Sequence, residues 1–179
     1  MQSTARQMIA RQGREKQRYS ATGARMVAGV VALSPDKRKI LVISSSKGNR
    51  SKAVIPKGGY ETDEASAQAA ALREAWEEAG VEGRITRELG VIEDMRPAAV
   101  FSQMKNPSLG TGDWERGAGV HPKAEYHMFE MEVEMEAEVW PESSTRMRRW
   151  VTYREILKMM SSRPELLEAV KRSSVIKEE

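Results

Sequence analysis

The stretch that decides the fold is GGYETDEASAQAAALREAWEEAGV, residues 58–81. It begins with two glycines and a polar loop, and it continues as a segment that is rich in alanine and charge. Three alanines recur at the four-residue spacing of one helix face, which predicts a helix: Ala67, Ala71 and Ala75. Thr62 or Asp63 is predicted to cap its start, and Gly80 suits the left-handed position just past its end.

This helix carries three acids within two turns, Glu74, Glu77 and Glu78. Side chains three and four residues apart share a face, so each pair of carboxylates costs about 0.3 kcal/mol in repulsion. Arg73 lies four residues before Glu77 and can orient a carboxylate. Spacing alone leaves two interpretations open: a solvated acidic helix face, or a site for a divalent cation that reverses the repulsion.

Composition narrows the kind of metal site that is possible. The 179 residues are 40% hydrophobic and 31% charged, as expected for one soluble domain. The chain has no cysteine, which excludes disulfides, thiolate metal sites and a cysteine nucleophile. With His121 and His127 as its two histidines, a cage of imidazoles is not expected. Oxygen ligands remain, and they favour Mg²⁺, Mn²⁺ or Ca²⁺.

Charge is unevenly distributed although the net charge is only +3. Basic residues concentrate at 6–25, 47–57 and 146–149, whereas acids concentrate at 61–78 and 130–138. Such a separation suits a protein that holds a metal with one cluster and a polyanion with the other. Solvated surface faces are the alternative interpretation of each cluster. No long apolar run is present, so no membrane partner is predicted.

The remaining elements follow from hydrophobic patterning. Residues 1–22 show little periodicity and are predicted to be a flexible basic arm. Strands are predicted at 24–33, 39–46, 83–95, 125–138 and in RRWVTY, and two more helices at 153–162 and 164–174. Residues 102–122 are predicted to be a functional or disordered insertion. This order of elements predicts the α/β class, with a mixed sheet sandwiched between helices.

Residues 58–81 also resemble the Nudix box. That pattern is a Gly, five residues, a Glu, seven residues, then Arg-Glu, an apolar residue, any residue, Glu-Glu, any residue, Gly and an apolar residue. The matching positions are Gly59, Arg73, Glu74, Ala75, Glu77, Glu78, Gly80 and Val81. The pattern's first Glu would fall at Ala65, with Glu64 beside it. The resemblance implies a Nudix fold over residues 23–175.

The resemblance also implies a reaction and roles. Nudix enzymes hydrolyse a nucleoside diphosphate linked to another moiety, or a related pyrophosphate, with Mg²⁺ or Mn²⁺. Glu74 and Glu78 are implied metal ligands, and Glu77 a further ligand or the general base. Arg73 is implied to orient the glutamates rather than to touch substrate.

The flanking sequence ILVISSSKGNRSKAVIPKGGYETDE resembles the diphosphoinositol polyphosphate phosphohydrolases, and REAWEEAG their fungal branch. These enzymes also cleave diadenosine polyphosphates. The resemblance spans residues 24–170, and it does not account for the insertion at 102–122. It implies substrate-binding roles for ten residues: Arg25, Ser45, Ser46, Lys47, Lys57, Gly58, Gly59, Lys123, Arg146 and Arg163.

Other functions stay open. The main substrate could instead be a diadenosine polyphosphate, inorganic polyphosphate or an mRNA cap, and a catalytically weak Nudix domain that binds polyphosphate is a different class of answer. RNA binding by the basic arm is conceivable but not favoured. The expected partner is a small polyanionic substrate, and the chain is expected to act as a monomer in the cytoplasm, the nucleus or both.

Overall fold

The computed structural model describes residues 7–45, 52–96 and 122–177. The predicted insertion at 102–122 therefore lies outside the described residues, apart from Pro122. Ten elements follow one another: β1 (Arg25–Leu33), β2 (Ile40–Ser44), β3 (Ala53–Val54), β4 (Lys57–Gly59), α1 (Ala67–Ala79), β5 (Val81–Asp94), β6 (Ala124–Glu136), β7 (Arg148–Val151), α2 (Tyr153–Met159) and α3 (Pro164–Arg172).

The strands form one mixed sheet in the order β3-β2-β1-β6-β5, with β4 paired to β1 and β7 paired to β2. β1 and β6 run parallel, from Arg25 opposite Ala124 to Leu33 opposite Glu132, and the other pairs are antiparallel. α1 packs on β1 and its neighbours, whereas α3 packs on β5. The predicted α/β class, a mixed sheet with flanking helices, is confirmed.

Alanines allow α1 to lie close to the sheet. Ala70, Ala71, Ala75 and Ala79 are fully buried, and they face a core built largely from β1 and β2. Small side chains bring the helix backbone near the sheet, so even the glutamates of α1 are buried at its edge. The packing of this apolar face therefore decides where the acids lie.

Of the two ends predicted for α1, only the C-terminal end matches the structure. The predicted caps Thr62 and Asp63 are wrong, because the polar loop continues to Ser66, whose hydroxyl accepts a hydrogen bond from the backbone N–H of Ala69 at 3.1 Å. Gly80 ends the helix as predicted, in the left-handed conformation with φ 62°. The loop predicted before the helix also differs, because its first residues pair with β1 as β4.

Residues 7–22, here called the N-terminal segment, contact the domain along α1 and its preceding loop. Trp76 donates its indole N–H to the carbonyl of Gln7 at 3.0 Å, and the Arg11 side chain pairs with Glu61 and Asp63. These contacts were not expected from the sequence, which predicted a flexible arm over 1–22. The flexibility itself and the division into arm and domain stay predictions.

Candidate active site

The acidic face of α1 opens onto a cleft of about 960 Å³. Glu74, Glu77 and Glu78 are only 7%, 4% and 7% exposed, yet all three line this cleft. A carboxylate that is removed from water needs partners of opposite charge. The arrangement of those partners defines the site.

Arg73 connects the glutamates to the loop before the helix. It donates to Glu64 at 2.6 and 3.2 Å, to Glu74 at 2.7 Å and to Glu77 at 3.1 Å. Its remaining N–H reaches the carbonyl of Gly59 at 2.8 Å. Glu64 is buried and also accepts from a loop backbone N–H at 2.9 Å, whereas the adjacent position of the box pattern is exposed. Glu64 thus makes the ion pair with Arg73 that ties the loop to α1.

Glu78 is held from the opposite wall of the cleft. The backbone N–H of Lys57 donates to it at 2.9 Å, and the Arg146 guanidinium forms a buried ion pair with it. Arg146 also donates to the carbonyl of Ser44 at 2.9 Å and pairs with Glu142. Strands β2 and β4 and the segment before β7 therefore converge on one carboxylate of α1.

Gly58 makes room for Glu74. A Cβ atom at position 58 would lie 2.2 Å from the Glu74 carboxylate, well inside van der Waals contact. The absence of a side chain, rather than an unusual backbone conformation, is what this glycine contributes. The carboxylate can therefore rest directly against the β4 backbone.

Replacement of Gly58 by alanine is expected to lower kcat/KM by about a hundredfold, because the new methyl group must displace the Glu74 carboxylate by an ångström or more. Steady-state kinetics against a pyrophosphate substrate measure the effect, and thermal unfolding shows whether the sheet is retained. Unchanged kcat/KM in a folded variant would show that the position of Glu74 is unimportant.

Burial raises the pKa of every one of the three α1 glutamates. The pKa of Glu74 rises to about 8 through burial and repulsion from Glu78, against the attraction of Arg73. Burial also raises the pKa of Glu77, against Arg73, and that of Glu78, against Lys57 and Arg146. The positive side chains of the protein therefore compensate the buried negative charge only in part. A further cation bound here would stabilise the ionised glutamates.

The donor set fits a hard divalent cation, since it consists of carboxylate oxygens. Within residues 7–45, 52–96 and 122–177, however, no three Asp, Glu or His side chains are arranged to hold a metal ion. Arg73 holds Glu74 and Glu77, and Arg146 holds Glu78. One oxygen of Glu78 accepts from Arg146 and the other from the Lys57 backbone, so a cation bound by all three acids must share that carboxylate with these donors or displace them.

The structure brings most of the predicted substrate-binding residues to the same cleft. Eight of them line it: Arg25, Ser45, Lys57, Gly58, Gly59, Lys123, Arg146 and Arg163. Lys57 comes from β4 and Arg163 from the residue before α3, and Arg163 contacts the Tyr126 hydroxyl at 3.3 Å. The remaining two predicted residues, Ser46 and Lys47, lie outside the described residues.

Sequence reasoning missed a second group of cleft residues. Asp94 is the last residue of β5 and Arg96 lies two residues after it, and their side chains pair at 2.7 Å. Burial raises the pKa of Asp94, but the hydrogen bonds from Arg96 outweigh burial and lower this pKa below its usual value. Arg11 and Gln17 reach the cleft from the N-terminal segment. The charged residues Asp94 and Arg96 at the end of the strand predicted at 83–95 were a usable signal, whereas nothing in the local sequence distinguishes Gln17.

Two arginines of the basic clusters, Arg148 and Arg18, donate hydrogen bonds to backbone carbonyls. Arg148 lies over the Trp140 ring at 4.4 Å and donates to the carbonyls of Ala79 and Ala137. Trp140 is buried and donates to the carbonyl of Glu78 at 3.2 Å. Arg18 donates to loop carbonyls before α1 in a similar way. These contacts fix the ends of the helix that carries the acids.

In the part of the chain that the structure describes, no helix has the length and apolar character needed to cross a membrane.

Comparisons with known proteins agree with this fold and this acidic helix. A model of the NUDIX domain matches residues 23–170. The chain is 34% identical over 157 residues to Nudix hydrolase 21, chloroplastic, of Arabidopsis thaliana, covering 85% of this chain and 68% of that protein. It is 35% identical over 158 residues to Nudix hydrolase 4 of the same plant, covering 83% and 65%. The chain thus spans about two thirds of the length of these relatives.

Among solved structures, a NUDIX hydrolase from Nitrosomonas europaea superposes with a TM-score of 0.59 at 16% identity, covering 83% of this chain and 87% of that one. This likeness concerns the fold. Together with the domain match and the two plant relatives, it shows that the chain belongs to the NUDIX hydrolase family.

Proposed function

We propose that this protein hydrolyses the pyrophosphate of diphosphoinositol polyphosphates and also acts on diadenosine polyphosphates. The charge of the cleft carries the proposal. Among the described residues, nine Lys or Arg and six Asp or Glu line it. A small substrate with many phosphates needs cations on several sides, and guanidinium groups bind phosphate oxygens in pairs. The flanking motif that resembles diphosphoinositol polyphosphate phosphohydrolases supports the same substrate class.

Glu74 and Glu78 are proposed to bind Mg²⁺ or Mn²⁺, with Glu77 as a further ligand or the general base. When bound, such a cation neutralises phosphate charge and acidifies water. Glu77 is then the group that accepts a proton from water, and Arg73 keeps its carboxylate in place. The Nη2 atom of Arg146, if it leaves Glu78, can donate to substrate phosphate while Glu142 and the Ser44 carbonyl keep the rest of the guanidinium in place.

The basic wall is proposed to hold phosphates that do not react. The Lys57 ammonium is surrounded by charges of both signs. Burial lowers the pKa of Lys57, and the positive charges of Arg163 and Arg146 lower it further, whereas the negative charge of Glu78 raises it. A phosphate group placed between these cations relieves their mutual repulsion. Arg25 and Lys123 extend the wall toward the N-terminal segment.

Replacement of Lys57 by methionine is expected to raise KM about tenfold while kcat changes little, because a charge that holds phosphate equally in ground and transition states affects binding alone. Steady-state kinetics of the variant measure both constants. Lys158, exposed on α2, provides the matched control through the same substitution. A fall in kcat at constant KM would instead place Lys57 at the reacting phosphorus.

Parallel turnover assays test the substrate class. A diphosphoinositol polyphosphate, a diadenosine polyphosphate, inorganic polyphosphate and capped RNA are compared at equal concentration with Mg²⁺ or Mn²⁺. The proposal expects the highest kcat/KM for the diphosphoinositol polyphosphate, with measurable turnover of the diadenosine compound. A strong preference for capped RNA or for polyphosphate would overturn it.

A polyphosphate-binding domain of low activity is the second candidate. The observation in its favour is that protein groups already contact the acids: Arg146 pairs with Glu78, and the backbone N–H of Arg11 donates to Glu77 at 3.1 Å. Mn²⁺ titration with and without inositol hexakisphosphate separates the two candidates. An enzyme takes up the metal at millimolar levels or below, whereas a binding domain of this kind binds the inositol phosphate without it.

A cytoplasmic or nuclear location and a monomeric state complete the proposal. Both stay predictions, and the name of one plant relative places that relative in the chloroplast.

A further inference from the structure

We infer that Gln17 is a positioning residue that fixes the Arg25 guanidinium in the cleft. The inference rests on the proposed role of Arg25 in binding substrate phosphate. It makes the N-terminal segment a part of the substrate site, because a residue outside the sheet decides how a residue of β1 presents its charge.

Gln17 is placed in the structure by several contacts at once. Its side chain is buried, and the residue is only 8% exposed in a segment that is otherwise mostly exposed. Its amide nitrogen donates to the carbonyls of Arg18 and Met26 at 2.8 Å and of Tyr60 at 3.3 Å. These donations leave the amide oxygen with one orientation, in which it accepts a hydrogen bond from the Arg25 Nε atom at 2.7 Å.

The hydrogen bond to Nε leaves the ends of the Arg25 guanidinium available. Within residues 7–45, 52–96 and 122–177, neither Nη atom of Arg25 donates a hydrogen bond to a protein acceptor. Arg25 lines the cleft, and its Nη2 atom would lie 3.1 Å from a Cβ atom at Gly59. The paired Nη–H groups, which suit a phosphate, therefore have no protein acceptor among the described residues, and they lie beside Gly59 of β4.

The same glycine shows how closely Gln17 fits. A Cβ atom at Gly59 would come within 2.5 Å of the Gln17 amide oxygen. Gln17 therefore packs against β4 from one side while it holds Arg25 from the other. No second acceptor for the Arg25 Nε atom is present among the described residues, so loss of the amide leaves this nitrogen unpaired.

Loss of the Gln17 amide should not unfold the protein. Each carbonyl that accepts from Gln17 also accepts from a backbone N–H: Met26 from Tyr60 at 3.1 Å, Tyr60 from Arg18 at 2.9 Å, and Arg18 from Met26 at 3.0 Å. These carbonyls stay satisfied in a Gln17→Met variant, which keeps the length of the side chain. The change is therefore confined to the contact with Arg25.

The test compares Gln17→Met, Arg25→Met and the double variant. Two readouts are used: KM and kcat for the diphosphoinositol polyphosphate, and the Kd of inositol hexakisphosphate by calorimetry without divalent metal. Gln17→Met is expected to raise KM and Kd about fivefold to tenfold, with kcat within about twofold and thermal unfolding nearly unchanged. The double variant is expected to match Arg25→Met, because Gln17 acts through Arg25.

Gln68, exposed on α1, provides the matched control as Gln68→Met, which should leave both readouts unchanged. The inference is overturned if Gln17→Met binds like the wild type, or if its effect adds fully to that of Arg25→Met. Failure of the proposed function appears separately: the wild type would not turn over the diphosphoinositol compound, while its binding of inositol hexakisphosphate would still depend on Gln17.

Discussion

Replacement of Glu78 by glutamine is expected to lower kcat by roughly 10³-fold while the protein stays folded. Glu78 is the carboxylate on which three strand regions converge, through Lys57 and Arg146. Glutamine keeps the size of the side chain and one acceptor oxygen, so the backbone contact to Lys57 can persist. It lacks the negative charge that a divalent cation requires, and activity is therefore lost far more than stability.

The measurement is kcat under saturating Mg²⁺ or Mn²⁺, together with Mn²⁺ affinity by calorimetry. Glu168, partly exposed on α3 and paired only with Arg172 in the described structure, supplies the control through Glu168→Gln. We expect Glu77→Gln to fall in the same range as Glu78→Gln. Near-normal kcat in Glu78→Gln would show that Glu78 is not a metal ligand and serves only as a structural partner of Lys57 and Arg146.

Replacement of Glu64 by alanine is expected to destabilise the protein by about 3 kcal/mol, because it removes a buried two-point ion pair with Arg73. Arg73 retains Glu74 and Glu77, which limits the loss. For a domain of this size the melting temperature should fall by roughly 10 °C. Differential scanning calorimetry measures the change, and kcat/KM shows how far the glutamates lose their orientation.

Ala65 offers a sharp control, since the box pattern places its first Glu there. The residue is exposed in the structure, so Ala65→Glu should neither stabilise the wild type nor rescue Glu64→Ala. Rescue by Ala65→Glu would show that the loop can shift by one residue and that position 64 has no special role. Equal melting temperatures of Glu64→Ala and the wild type would show that the ion pair contributes nothing to stability.

Local patterns predicted the parts of the fold that depend on local physics. The alanine spacing located α1, because helix periodicity is a property of nearby residues. Gly80 ended it, because few other residues adopt a left-handed conformation at low cost. Strands β1 and β2 followed from two apolar runs on either side of a polar stretch. The acids of the site were identified for the same reason.

What the sequence did not predict depends on distant partners. β4 is three residues long and rich in glycine, and it is a strand only because Ala28 and Gly58 pair across the sheet. Ser66 rather than Thr62 caps α1, because Glu64 holds the loop down onto Arg73. Gln17 belongs to no sequence pattern, since its role comes from Arg25 on β1 and from carbonyls that reach as far along the chain as Tyr60.

The attachment of Gln7 to Trp76 has a practical consequence for anyone who prepares this protein. Trp76 precedes Glu77 in α1, so this contact holds the N-terminal segment against the helix that carries the acids. An affinity handle or fluorescent fusion at the N-terminus is therefore joined to a segment whose Arg11 and Gln17 line the cleft. Assays and crystallisation should place such additions after α3, or compare both placements before any kinetic constant is ascribed to the enzyme.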